Sequence, residues 1–240
     1  MEIIEIPNSY AINLKPPSFI CDTKLSEHVV DPFSNLHSFI VLVGAARSGK
    51  SSLLINMMTN KNIYYHVFDK VIVCMPIHSI QSMKNNIFED LLSEQVFHEL
   101  DEESLDNIIN QISASSNEDE NTIIIIDDLT SSLKLKIVQR LLNNIINNRR
   151  HYKTSILLSV QFLNSIPLQV RKQINFIIAF KFKNNKELKN VAEEFTKYDY
   201  NEFLEIADYV FDKPHEWMCI DRDNNRIFKK FNEIQIHRNK

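Results

Sequence analysis

The stretch Phe39-Ile40-Val41-Leu42-Val43-Gly44-Ala45-Ala46-Arg47-Ser48-Gly49-Lys50-Ser51-Ser52 constrains this chain more than any other. A short apolar run leads into a loop that fits G-x-x-x-x-G-K-[ST], and an amphipathic segment (Leu53, Leu54, Met57, Met58) follows. Strand, tight loop and helix N-terminus are the context a phosphate-binding loop requires. The chain has only two glycines in 240 residues, both in this loop, where ordinary usage of ~7% would give about 17. At Gly44 and Gly49 a side chain would keep backbone N–H groups away from a phosphate.

The residues Gly44, Ala45, Ala46, Arg47, Ser48, Gly49, Lys50, Ser51 and Ser52 are therefore read as a nucleotide cradle. Loop N–H groups form a concave anion site at the start of a helix, where the helix dipole adds positive charge. Lys50 would reach the β- and γ-phosphates, and the Ser51 hydroxyl would sit on the Mg²⁺ that bridges them. The competing reading is a chance match at an ordinary strand–helix turn.

A chain of this length can bury one full α/β core. Its net charge of −4 gives no global signal for nucleic acid, so any basic surface is local. Cys21, Cys74 and Cys219 are too far apart for a zinc knuckle, and their odd number argues against a disulfide framework. The eight histidines show no ligand spacing. The N-terminus lacks a basic signal-peptide region, and no apolar run is long enough to span a bilayer. The expectation is a soluble intracellular protein.

Residues 1–37 hold four of the seven prolines and no sustained period, which suggests an N-terminal arm or edge hairpin. A core over 38–182 and a helical and hairpin extension of the same domain over 183–240 complete the expected organisation. Within the core, strands are expected at 38–43, 67–75, 155–160 and 175–182, and at the run Thr122-Ile123-Ile124-Ile125-Ile126. That β-branched run fits a central parallel strand buried on both faces. Two helices are expected between Ile77 and Ile112, a polar loop over 113–121, and a helix over 132–147. Beyond the core come helices over 186–195 and 201–210, then a hairpin about Asp223-Asn224-Asn225.

Asp127 and Asp128 end the isoleucine run, at the carboxyl edge where α/β sheets bind ligands. Their distance from Lys50 leaves room for one inserted strand. Asp127 would hold Mg²⁺, directly or through water, and Asp128 would orient and deprotonate the attacking water. The alternative is a strand that ends in a solvated acidic turn.

An inserted strand between two nucleotide motifs, then a strand ending in a polar residue, resembles the additional-strand, catalytic-acid branch of P-loop ATPases. The run Arg149-Arg150-His151-Tyr152-Lys153-Thr154-Ser155-Ile156-Leu157-Leu158-Ser159-Val160-Gln161 is similar to the arginine–strand–glutamine segment of the FtsK/HerA group. With Ile166-Pro167 and 175–180 added, the chain resembles the poxvirus-type genome-packaging ATPases of large DNA viruses and virophages. The resemblance covers roughly 38–182, and more loosely the final hairpin. It implies an α/β fold, a P-loop NTPase three-layer sandwich whose mostly parallel sheet has strand order 5-1-4-3-2, with a C-terminal hairpin.

Carried over by position, Gln161 would sense the γ-phosphate. Arg150, with Arg149 as the second candidate, would be the finger that reaches a neighbouring subunit's nucleotide. A solvated helix C-terminus is the alternative for both arginines, and a strand-end hydrogen bond for Gln161. Asp128 is one methylene shorter than the glutamate frequent in the larger group. The function implied is a Mg²⁺-dependent ATPase ring that moves viral double-stranded DNA into a capsid through a capsid or portal-vertex protein. It would work in the host cytoplasm or viral factory, or with the virion. Helicase, DNA-transfer motor and slow nucleotide-gated switch are the alternatives. A GTPase is disfavoured because no N-K-x-D guanine-reading motif follows strand four or five, and Asn185-Lys186-Glu187-Leu188 lacks the aspartate. A small-molecule kinase is disfavoured for want of an arginine-rich lid. Intact Lys50, Ser51 and Asp127 argue against an inactive scaffold.

Overall fold

The apolar run before the glycine loop is strand β1 (Phe39–Val43), and the loop opens helix α1 (Lys50–Thr59). The computed structural model describes residue 26 and residues 29–33, 35–83 and 86–235. After α1 come β2 (Lys70–Cys74), the short helix α2 (Ile77–Gln81), a two-residue strand β3 (Val96–Phe97), α3 (Glu102–Asn117) and β4 (Thr122–Ile126). Then follow α4 (Lys136–Asn148), β5 (Thr154–Val160), α5 (Leu168–Arg171) and β6 (Phe176–Phe180). The chain continues through α6 (Asn185–Phe195), α7 (Tyr200–Val210), β7 (Trp217–Asp221), β8 (Arg226–Lys229) and β9 (Asn232–Glu233). Most of the expected arm, residues 1–25 included, lies outside the described residues, as does Cys21.

One sheet runs β3-β2-β4-β5-β1-β6-β7-β8-β9 among the described residues. Its first six strands are parallel, and the last three are antiparallel. The expected order 5-1-4-3-2 is the segment β6-β1-β5-β4-β2, so the fold is the anticipated α/β sandwich with a hairpin added at one edge. Two strands, β2 and β3, separate the nucleotide motifs instead of one.

The sheet is covered on both faces, which is why its inner strands read as continuous apolar runs. Alternation sends Phe39, Val41, Val43, Ile124, Ile126, Ile156 and Leu158 into a core with α3, α4, α6 and α7. Ile40, Leu42, Ile123, Ile125, Leu157, Phe176 and Ile178 face α1 and an aromatic layer. In that layer Phe33 packs edge-on against Phe176 at 5.6 Å and, in a tilted arrangement, against Tyr64 at 6.3 Å.

The segment from Ile77 to Ile112 departs from expectation. Its first part forms only the five-residue α2, and 87–92 is a series of turns. The Asn86 side chain accepts from the Phe88 N–H at 3.0 Å, a local bond that competes with helix. Gln95 accepts from the Leu92 N–H at 3.0 Å and donates to the Val71 carbonyl at 2.9 Å, which ties the segment to the sheet edge. In α3 the expected loop begins too early: the helix runs to Asn117 because Ile112 and Ser115 are both buried, and Asp119 at φ 65 turns the chain afterwards.

At the amino edge of the sheet Arg149 is 7% exposed. Its guanidinium donates to the carbonyls of His37 (3.0 Å) and Ile146 (2.8 Å) and to Asn175 Oδ1 (3.0 Å). Burial, then the neighbouring Arg150 charge, lowers its pKa from the ordinary arginine value. Asn175 Oδ1 also accepts from the Phe39 N–H at 2.9 Å. Arg149 thus joins α4, β1 and β6 as a structural pin, while Arg150 beside it is exposed.

Candidate active site

Register places the phosphate loop. Val43 at the end of β1 pairs with Val160 of β5 and Ala179 of β6, so the loop leaves the sheet between two parallel carboxyl ends. The Gly44 N–H donates to the Val160 carbonyl at 3.2 Å. Gly49 has φ 110 and caps α1 in the left-handed region, where a side chain is strained. Gly44 is demanded by packing as well as by any ligand: a Cβ there would lie 2.8 Å from Phe180 Cβ and 2.8 Å from Ser48 Oγ.

Lys50 is the first residue of α1, and its ammonium donates to the carbonyls of Gly44 (2.7 Å) and Ala45 (3.1 Å). Burial lowers its pKa, partly offset by the charges of Asp127 and Asp128. Ser51 Oγ donates to Asp127 Oδ2 at 2.7 Å. Asp127 is buried (3% exposed), and its own N–H donates to the Cys74 carbonyl at 3.0 Å. Asp128 is exposed at φ 58, a left-handed conformation that aspartate tolerates, and accepts from Ser79 Oγ of α2 at 3.3 Å.

These residues meet. A cavity of about 170 Å³ is lined by Ala46, Arg47, Lys50, Ser51, Asp127, Asp128 and Gln161. Thr130 and Ser159 line it too, and their hydroxyl oxygens are buried with no hydrogen-bond partner. Such orphaned groups mark a place that can bind a hydrogen-bonding ligand. A second cavity of about 580 Å³ lies along the loop and shares Arg47, Lys50 and Ser51 with the first. Its remaining wall includes Ser52, Phe180, His215 and Trp217. Arg150 touches neither cavity.

Sequence reasoning missed Ser79, Thr130 and Ser159, which carry no spacing signal, and the aromatic wall, which comes from chain remote in sequence. Ser51 and Asp127 fit a Mg²⁺ ion: a hydroxyl and a carboxylate, both hard oxygen donors, converge within a hydrogen bond. Among the described residues no group of three or more His, Cys, Asp or Glu side chains could hold a metal. Separate roles for the two carboxylates predict separate failures. Asp127→Ala is expected to weaken Mg²⁺–nucleotide binding at least tenfold, whereas Asp128→Asn should bind normally and leave ATP uncleaved. Calorimetry beside single-turnover hydrolysis distinguishes them, and equal loss of affinity in both would make Asp128 a metal ligand.

The Poxvirus A32 protein family model matches residues 31–198. The uncharacterized protein 075L of Invertebrate iridescent virus 6 is 27% identical over 158 residues, 64% of this chain and 58% of that protein. The chain therefore spans less than two thirds of that relative. In fold, the chain is similar to B204, the DNA-packaging ATPase from Sulfolobus turreted icosahedral virus, with TM-score 0.59 and 20% identity over 84% of this chain and 99% of that one. The genome packaging NTPase B204 from Sulfolobus turreted icosahedral virus 2, in complex with ATP-gammaS, also gives a TM-score of 0.59 at 20% identity, over 80% and 96% of the two chains. A family match across most of the chain, together with a phosphate loop and carboxylates gathered at the carboxyl edge of a parallel sheet, establishes that this chain belongs to the Poxvirus A32 protein family.

Proposed function

We propose that this chain is an ATP hydrolase that drives the packaging of viral double-stranded DNA, working as a homo-oligomeric ring. One observation carries the reading: Lys50, Ser51, Asp127, Asp128 and Gln161, from three separate segments, line one small cavity beside a phosphate loop. Membership of the A32 family and a fold shared with viral packaging ATPases support it.

Hydrolysis here is mostly positioning and charge stabilisation. Loop N–H groups and the start of α1 hold the phosphate chain. Lys50 exchanges its two carbonyl acceptors for phosphate oxygens. Ser51 and Asp127 would hold Mg²⁺, which would supply charge neutralisation for the phosphates. Asp128 takes a proton from water as its oxygen attacks the γ-phosphorus, and the bond to the bridging oxygen breaks to leave ADP. Gln161, at the end of β5, contacts the γ-phosphoryl group and reports its loss to the strand. Arg150 completes the site of the next subunit, and the capsid or portal-vertex protein anchors the ring in the host cytoplasm or viral factory. Among the described residues, no helix is long and apolar enough to cross a membrane.

DNA contact is assigned to Lys181, Lys183, Lys186 and Lys189, all exposed at the carboxyl end of β6 and on α6, and to the basic stretch from Asp221 to Lys240. Residues 236–240 of that stretch lie outside the described residues. Duplex binding should weaken steeply with salt, with a log–log slope of about −0.9 per phosphate contact. Duplex DNA should also stimulate ATPase activity. Affinity that does not change between 50 and 200 mM salt (roughly the range over which such contacts are lost) would remove DNA as the substrate and packaging with it.

A further inference from the structure

The chain that follows Gln161 is fastened to α6, and no role assigned so far uses that junction. Gln161 lines the small cavity, and two residues later the backbone enters a short 3₁₀ turn, Leu163–Ser165. The first N–H groups of such a turn have no partner within it. Phe162, at its N-cap, makes no side-chain capping bond, so the Leu163 N–H has to be met from elsewhere. It is met by Glu187, a buried residue in the first turn of α6, whose carboxyl group accepts it. Burial raises the pKa of Glu187 from the ordinary glutamate value, and the bond from Leu163 partly offsets that.

Further contacts join the same parts. Asn190 Nδ2 donates to Asn164 Oδ1 at 3.3 Å. Arg171, at the end of α5, donates both to Asn164 Oδ1 at 3.4 Å and to the Glu194 carboxylate. Glu187, Asn190 and Glu194 recur at i, i+3 and i+7, so one face of α6 carries all three. Lys186 and Lys189 of the same helix are exposed. The Asn184 side chain caps the helix by accepting from the Glu187 N–H at 2.8 Å, which keeps Glu187 and Lys186 in one fixed first turn. Yet the junction is not fully satisfied: Glu187 Oε1 and Arg171 Nε are both buried without a hydrogen-bond partner. Unmet buried polar groups cost free energy, so an arrangement that holds two of them is easier to shift than one that holds none.

We propose that Glu187 is a positioning residue for hydrolysis: through Leu163 it fixes the stretch that carries Gln161, and it makes α6 the element through which duplex DNA and nucleotide act on each other. The inference rests on the readings above of Gln161 as the γ-phosphate contact and of Lys186 and Lys189 as DNA contacts. Duplex phosphates drawn to those lysines pull on α6, and the pull reaches the backbone two residues from Gln161 by way of Glu187. Loss of the γ-phosphoryl group runs along the same path in reverse. Coupling of this kind is a free energy shared by two sites, so each ligand changes the other's affinity by the same factor.

The test uses the full chain in Mg²⁺ buffer with ATP, a non-hydrolysable ATP analogue and a duplex of mixed sequence. Turnover at saturating duplex is measured for Glu187→Ala, Glu187→Gln, Gln161→Ala and the Glu187→Ala, Gln161→Ala double variant. Small misplacement of a catalytic contact costs up to about 10²-fold, so Glu187→Ala is expected to lower kcat by about 10- to 100-fold with little change in KM for ATP. Glu187→Gln keeps an oxygen that accepts from Leu163 and should restore most of the rate. The double variant should be no slower than Gln161→Ala alone, because Glu187 acts through Gln161. In the wild type, duplex and analogue should change each other's affinity by one common factor of at least about five. In Glu187→Ala that factor should fall towards one while each ligand alone binds as before. Should the melting curve show that Glu187→Ala does not fold, Asn190→Ala loosens the same junction and should give the same pattern to a smaller extent. Wild-type kcat and coupling in a folded Glu187→Ala chain overturn the proposal, and so does a double variant in which the two losses multiply. If Gln161→Ala turns over like the wild type, the γ-phosphate reading of Gln161 falls; if the wild type binds no duplex, the DNA reading falls. Either result removes the role of Glu187 with it.

Discussion

Replacing Lys50 with alanine is expected to abolish nucleotide hydrolysis while leaving the fold intact. Lys50 lines the small cavity, with its ammonium between loop carbonyls at 2.7 and 3.1 Å and within the field of Asp127 and Asp128. Loss of one preorganised donor to developing charge costs about 10²–10³ in turnover. Lys50 also helps anchor the ground state, so the total loss should reach or exceed that range. Stability should change little, within about 0.5–1 kcal/mol. The side chain is only half-buried, and water can take over the two carbonyls. Steady-state ATPase assays beside thermal melts decide the matter. Wild-type-like turnover in a folded variant ends the phosphate-loop assignment, and a collapsed melting transition would show Lys50 to be structural.

Arg150→Ala is expected to bind ATP normally and to hydrolyse it about 10³–10⁵-fold more slowly, the range attributed to arginine fingers supplied between subunits. The geometry behind this expectation is the length of β5. Arg150 lies just ahead of Thr154, while the phosphate loop lies beside Val160 at the opposite end of the same strand. Seven residues at about 3.3 Å each put the two roughly 20 Å apart. An exposed arginine there is too far to serve its own nucleotide, whereas in the proposed ring it would face a neighbour's. Arg149, one residue earlier, has spent its donors inside its own sheet. Specific activity should rise with protein concentration as subunits associate. Mixing supplies the sharper test, since an Arg150→Ala chain and a Lys50→Ala chain are each inactive alone. Recovery of ATPase activity in mixed rings supports a shared site. No recovery, in rings shown to contain both chains, means that Arg150 acts within its own chain or not at all.

Much of the site could be read before any fold was known, for reasons visible at individual residues. Gly49 and Lys50 belong to a contiguous motif whose chemistry is local: backbone N–H groups, one cation and one hydroxyl within a few residues. Asp127 and Asp128 were conspicuous because a carboxylate at the end of four isoleucines is costly unless the strand stops there. Gln161 was legible only through resemblance, since a polar residue at a strand end has many ordinary uses. Sequence ranks Arg150 ahead of Arg149 only by position within the resemblance. Their separation into a buried pin and an exposed cation depends on where Asn175 and the His37 carbonyl lie, more than twenty and more than a hundred residues away (|i−j| 26 and 112).

What the sequence determined by itself is therefore whatever one segment can encode: the α/β alternation, the phosphate cradle, and a central strand ending in acid. Alternation along single strands and a loop rich in N–H donors need no partner to be recognised. The tertiary structure alone decided which remote segments complete the site. Phe180 makes Gly44 obligatory through a 2.8 Å approach that no local rule contains. Thr130 and Ser159 reach the small cavity and Ser79 reaches Asp128, while His215 and Trp217 reach the larger cavity, because parallel pairing of β2, β4, β5, β1 and β6 and the antiparallel return of β7 bring them together. The same holds for the turns at 87–92, where helical spacing in a short segment lost to side-chain bonds from Asn86 and Gln95. Spacing records only the face a segment prefers to bury, whereas strand order and packing decide what it is buried against.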